Sequence, residues 1–222
     1  MKLVHALPTV CYLCDLNACY EEFPICCDCV CDFYRLLDER CVVCGETTAK
    51  CKCSNNKNIR YLFYFDTYES RLLLYAFKCM AETNCIRFWA ELVVKGCIKN
   101  NEKFDAVTYV PRSWGNRQVY GYDQSKKLAT EVGRILDIPV VNLLKRKGFR
   151  RQKLLSAKQR YKNARKLFVL RSAPEVKYKN LLLLDDIFTT GATLVACRDV
   201  LREHAAESVV CAVLAKTNVL LN

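Results

Sequence analysis

The sequence predicts an α/β protein, a parallel sheet with helices on both faces, preceded by a small Cys-rich module that binds zinc. Three observations carry that expectation. From residue 105 onward, short continuous apolar runs alternate with segments of helical periodicity, the pattern of strands buried on both sides of a parallel sheet. Eleven of the 16 cysteines fall between Cys11 and Cys53, whereas the other five are scattered singly through apolar surroundings. The polar stretch SNNKN, residues 54–58, separates these regimes as a linker. The expected division is therefore 1–56 for the Cys-rich module and 57–222 for the α/β domain.

The elements follow in order. Ile59 to Phe65 is aromatic-rich and reads as a strand, and Glu69 to Ala81 and Ile86 to Val94 read as helices. Asp105 to Val110 is a strand stopped by Pro111, and Asp123 caps a helix to Leu136 whose Leu128, Val132, Ile135 and Leu136 share one face. Strands are expected at Pro139 to Leu144, Leu167 to Arg171, Asn180 to Leu184 and Ser208 to Ala215, with a helix from Thr193 to His204 between the last two. Hydrophobic residues make up 52% of the 222, enough to bury a core, and Gly plus Pro number only 12, which excludes collagen-like and disordered chains. No run approaches the roughly 20 apolar residues that span a bilayer. The amino terminus is too short in apolar residues for a signal-peptide core, so a cytoplasmic protein is expected.

Leu181 to Leu194, LLLLDDIFTTGATL, is the most specific signal. Four aliphatics make a central strand, two carboxylates stand at its carboxyl end, and a Thr-Thr-Gly-Ala-Thr turn opens into a helix. Ligands of open α/β sheets bind at that edge. Gly191 lets the backbone approach an anion, the hydroxyls of Thr189, Thr190 and Thr193 can donate, and the helix amino terminus adds a favourable dipole. Asp185 and Asp186 would repel a bare phosphate but suit hydroxyls or Mg²⁺ a sugar's length away. Phosphate on one side and carboxylates on the other describe a ribose 5-phosphate.

Cys11-x-x-Cys14 and Cys26-x-x-Cys29 are two knuckles of the kind that close a tetrahedral zinc site. Cys41, Cys44, Cys51 and Cys53 offer a second set, in which Cys51-x-Cys53 is unusually tight, and Cys19, Cys27 and Cys31 are spare. Disulfides are not expected of a reducing compartment; an iron–sulfur cluster is the competing reading.

The formal charge of +12 comes from one place. Lys145 to Lys166 holds 11 basic residues and no acidic one, leaving 24 basic against 23 acidic elsewhere. Cations such as Arg146, Arg150, Arg151, Lys153 and Arg160 suit a lid over a pyrophosphate leaving group. Interleaved with Phe149 and Tyr161, they equally suit single-stranded DNA, and a plain solvated surface is the third reading.

Asp185 to Thr193, DDIFTTGAT, resembles the phosphoribosyl pyrophosphate (PRPP) motif of type I phosphoribosyltransferases. The order of the paired cysteines, the strand ending in Pro111, the Gly121-Tyr122-Asp123-Gln124 helix start and the block around Gln152, Ser156, Arg160, Asn163 and Phe168 resembles one branch of them, the ComF/GntX family of competence-associated proteins. The resemblance implies that Asp185 and Asp186 are the catalytic pair that holds the ribose hydroxyls, Asp186 nearer the anomeric carbon, and that Thr189, Thr190, Gly191, Ala192 and Thr193 cradle the 5-phosphate. The loop after Pro111 would meet pyrophosphate. There the chain departs from the pattern, having Tyr120 and Asp123 where the family usually has Arg and Asn, with Arg112 a candidate to compensate. The implied activity is pentosyl (glycosyltransferase) transfer from Mg²⁺-PRPP to an unnamed acceptor. The alternative is a non-catalytic PRPP sensor that binds single-stranded DNA alongside competence proteins during DNA uptake and natural transformation.

Overall fold

The computed structural model describes residues 10, 11, 14, 16, 25–32, 41, 58–64, 68, 70, 71, 74, 77, 83–98, 102–112, 123–147, 157–171, 178–204 and 206–217. Their elements are β1 (Ile59–Tyr64), α1 (Thr83–Cys97), β2 (Ala106–Tyr109), α2 (Gln124–Leu136), β3 (Leu144–Arg146), α3 (Ala157–Leu167), β4 (Phe168–Leu170), β5 (Asn180–Phe188), α4 (Ala192–Glu203) and β6 (Ser208–Lys216). Four strands form one sheet in the order β1-β6-β5-β2, every neighbouring pair parallel. The expected parallel α/β architecture is present.

Strand alternation sorts the core onto two faces. Leu182 and Leu184 of β5, with Val210 and Ala212 of β6, pack under Trp89 and Leu92 of α1 and Leu128 and Val132 of α2. Leu181 and Leu183, with Val209 and Cys211, face the other way against Leu194, Cys197 and Leu201 of α4. Trp89 is the hub of the first face, its ring 5.5 Å from Phe88 and 6.2 Å from both Phe63 and Phe77. On the edge strand β1, buried Arg60 donates from Nη1 to the Cys97 carbonyl at 2.6 Å and to Glu102 at 2.5 Å. It thereby ties the negative end of α1 to the sheet.

Two boundaries differ from expectation for local reasons. The segment 139–144 is not one strand: Val140 makes a single parallel bridge to Val107, and β3 pairs antiparallel with β4 in a separate two-stranded sheet. The Leu143 amide turns back onto the Val141 carbonyl at 3.1 Å, which bends the chain off the edge of β2. Conversely, β5 runs to Phe188 because β6 pairs beside it as far as Lys216, so both acids lie within the strand. The expected helix from Asp123 is present, with the Asp123 carboxylate accepting from the Lys126 amide at 3.2 Å. The boundary expected near residue 56 lies outside the described residues, as do most of 1–56.

Candidate active site and metal centre

At the carboxyl edge, β5 delivers Asp185 and Asp186 between the ends of β2 and β6. The two acids sit in different surroundings. Asp185 is buried; its Oδ1 accepts from the Ser125 hydroxyl at 3.4 Å and from the Asp186 amide at 3.0 Å. Burial, then the neighbouring Asp186 charge, pushes its carboxyl well above the usual range. Asp186 is the more accessible acid. Its Oδ1 accepts from the Ile187 amide at 2.9 Å, and its Oδ2 accepts from Nη2 of Arg112, the first basic residue beyond β2.

After Phe188 the chain turns through Thr189 and Thr190 to Gly191, whose φ of 70° is left-handed. A methyl group added to Gly191 would strike the Phe188 ring, so both conformation and space select glycine there. Gly191 is the amino-terminal cap of α4, and its carbonyl accepts the first helical bond, from Val195 at 2.8 Å. No side chain caps this helix. The amides of Ala192, Thr193 and Leu194 lack the intrahelical partner that a first turn never has, and with the exposed Thr189 and Thr193 side chains beside them in the chain they are donors of the kind that suit an anion.

The structure therefore gathers Asp185, Asp186, Arg112, Thr189, Thr190, Gly191, Ala192 and Thr193 at one sheet edge. Ser125, buried in the first turn of α2, was not singled out in the sequence. Its signal is faint: a small hydroxyl two residues past the Asp123 cap, on the inward side of the helix.

The basic segment is divided. Arg146 lies on β3, half-buried, its guanidinium 5.8 Å from the centre of the Phe168 ring, and burial lowers its pKa. Arg150, Arg151 and Lys153 lie outside the described residues, and Arg160 is in α3 with its side chain undescribed. Lys145, Lys147, Lys162 and Lys166 are exposed.

The sulfurs of Cys11, Cys14, Cys26 and Cys29 lie within 4.8 Å of one another. The Cys14 and Cys26 sulfurs are 3.6 Å apart, too far for a disulfide and near the roughly 3.8 Å edge of a ZnS₄ tetrahedron with 2.3 Å bonds. These are the four cysteines expected from the spacing, and together they could hold a metal ion. Cys11 and Cys26, with Ile25, are buried in the same core face as Phe77 and Trp89. Cys29 is pushed up by burial first and by the neighbouring thiols. Of the second set only Cys41 is described, half-buried; Cys44, Cys51 and Cys53 lie outside the described residues. No helix among the described residues is long and apolar enough to cross a membrane.

The parallel sheet carries an acidic carboxyl edge and a Thr-Thr-Gly turn feeding a helix, and residues 124–220 match the family model described as phosphoribosyl transferase domain. Over 108 residues the chain is 36% identical to a protein of Haemophilus influenzae named Competence protein F, the match covering 47% of this chain and 47% of that one. The matched stretch thus spans about half the length of the curated relative. Together these two matches bear out the resemblance to ComF-like proteins of the type I phosphoribosyltransferase family. Among solved structures the chain is more distantly similar to the glutamine PRPP amidotransferase from B. subtilis, at 20% identity and a TM-score of 0.39 over 59% of this chain and 25% of that one. It is likewise similar to an adenine phosphoribosyltransferase from Leishmania tarentolae, at 14% identity and a TM-score of 0.36 over 60% and 70%.

Proposed function

We propose that this protein binds PRPP through the edge formed by Asp186, Arg112 and the 189–193 turn, and transfers its phosphoribosyl group to an acceptor with release of pyrophosphate. The observation that carries the reading is the juxtaposition of an uncapped helix amino terminus with the Arg112-paired carboxylate of Asp186 near the carboxyl end of a central parallel strand. The turn suits the 5-phosphate and Asp186 the ribose hydroxyls. Asp185, with its raised pKa, supports Asp186 from behind. The carboxylate oxygens are hard donors that suit Mg²⁺, and Mg²⁺ supplies charge neutralisation of the pyrophosphate when bound. The departing bond is C1–O of the ribose, and the pyrophosphate takes its electron pair.

Calorimetric titration with Mg²⁺-PRPP tests this. Binding is expected in the wild type and lost in Asp186→Asn; equal binding by both would move the site elsewhere. A pyrophosphate-release screen over candidate acceptors, with and without single-stranded DNA, then tests turnover.

Zinc at Cys11, Cys14, Cys26 and Cys29 is proposed as structural. Four cysteines of one site must stay reduced, which suits the cytoplasm. A second reading, single-stranded DNA binding in a competence role, is favoured by the exposed Lys145, Lys147, Lys162 and Lys166. It is compatible with the first.

A further inference from the structure

Arg112 stands three residues beyond Tyr109, the last residue of β2, and Asp186 two beyond Leu184, which is Tyr109's register partner on β5. The two side chains thus leave adjacent parallel strands at nearly matched heights and meet across the sheet edge as an ion pair, Nη2 to Oδ2. Both are largely withdrawn from water, at 10% and 15% side-chain exposure. Of the two acids, Asp185 is engaged by Ser125 and by the Asp186 amide, and Asp186 is the one whose oxygen Arg112 meets.

Resting on the phosphoribosyl reading above, we propose that the Arg112–Asp186 pair is a specificity lock. It withholds Asp186 from a sugar until a pyrophosphate group draws the guanidinium away, so that the site selects ribose 5-phosphate carrying a 1-pyrophosphate over ribose 5-phosphate itself. A sugar phosphate without pyrophosphate engages Asp186 only by taking from a poorly solvated guanidinium the carboxylate it is paired with, and stripping one partner from such a pair is unfavourable. Pyrophosphate removes that penalty, because its oxygens accept the planar fork of Arg in bidentate fashion. Ligands that need the open pair are otherwise weakened by the fraction of molecules in which it is open. The coupling is reciprocal: pyrophosphate and ribose 5-phosphate each tighten the other.

Six calorimetric titrations of the full chain at fixed Mg²⁺ test the lock: PRPP, ribose 5-phosphate, and ribose 5-phosphate with inorganic pyrophosphate on the wild type, and the same three on Arg112→Gln. In the wild type, inorganic pyrophosphate should tighten ribose 5-phosphate roughly tenfold, an ordinary size for coupling between two ligands. In Arg112→Gln, ribose 5-phosphate should bind more tightly on its own by a similar factor, PRPP should gain nothing, and the pyrophosphate effect should vanish. A plain pyrophosphate contact would instead weaken PRPP and leave ribose 5-phosphate unchanged, which overturns the lock. So does wild-type ribose 5-phosphate binding that ignores pyrophosphate, a result needing no variant to fold. A wild type that binds no PRPP defeats the functional reading, and the lock with it; PRPP binding without the coupling defeats the lock alone.

Discussion

The hydroxyl of Tyr161 on α3 donates to Oδ2 of Asp199 on α4 at 2.7 Å, and one turn further along both helices Nη2 of Arg165 meets Glu203 at 2.6 Å. With Ala164 buried beside them, these two rungs fasten α3 along α4. A tyrosine and an arginine from the basic run are therefore committed to holding the helix in place. Among the described residues of that run, Lys145, Lys147, Lys162 and Lys166 are exposed.

Neutralising those four lysines to Gln should flatten the salt dependence of single-stranded DNA binding by about 3 units of log–log slope, since each phosphate contact contributes roughly 0.7. Arg165→Gln should leave the slope alone and lower the melting temperature slightly, its loss being structural. Equal slopes for the wild type and the quadruple variant would end the nucleic-acid reading of these lysines.

Asp185 has a pH signature of its own. Its folded pKa lies above the unfolded one, so the native state holds a proton that the unfolded chain has already released, and the associated stability falls as pH rises between the two values. Asp185→Asn mimics the protonated acid. The variant should gain stability over wild type as pH climbs from the ordinary carboxylate range toward neutrality, and lose that advantage in acid. Denaturant melts of both proteins at a series of pH values give the difference directly; a gap that widens on acidification contradicts the assignment.

How much of this was legible in the sequence varied with the physical range of the signal. The main strands and helices could be read because runs such as Leu181 to Leu184 and the spacing of Leu128, Val132 and Ile135 are local patterns. The four-cysteine set and the Asp185 to Thr193 turn could be read because their chemistry is set by spacing. The fate of residues 139–146 could not, since it depends on the Leu143 amide finding Val141 and on β3 finding β4 across more than 20 residues. The pairing of Arg112 with Asp186, 74 positions away, and of Ser125 with Asp185, 60 positions away, was likewise invisible, because nothing local announces a partner brought in by sheet order.

Reductant-treated protein should contain one zinc on Cys11, Cys14, Cys26 and Cys29, with a second if the Cys41 set also closes. The Cys11→Ser, Cys14→Ser double variant should lose one equivalent by elemental analysis. Metal binding at such sites is worth on the order of 10 kcal/mol of folding free energy. Cys11 and Cys26 share a core face with Trp89, so the loss should also shift tryptophan fluorescence and lower the melting temperature. Iron with visible absorbance would replace the zinc assignment.

Gly191→Ala tests the anion cradle from the backbone upward. The alanine must adopt a φ of 70°, and its methyl group meets the Phe188 ring. Left-handed strain of this kind costs on the order of 1 kcal/mol, and relieving the clash requires the turn or the ring to move. If the turn moves, the amides of Ala192 to Leu194 lose their common aim, and Mg²⁺-PRPP affinity should fall by about tenfold or more for a modest loss of stability. Phe188→Leu in the same chain vacates the ring's space while leaving the φ requirement in place. The double variant should therefore recover part of the stability and part of the affinity, a coupling that a double-mutant cycle measures. Additive losses from the two substitutions would show that Phe188 does not set the position of the turn.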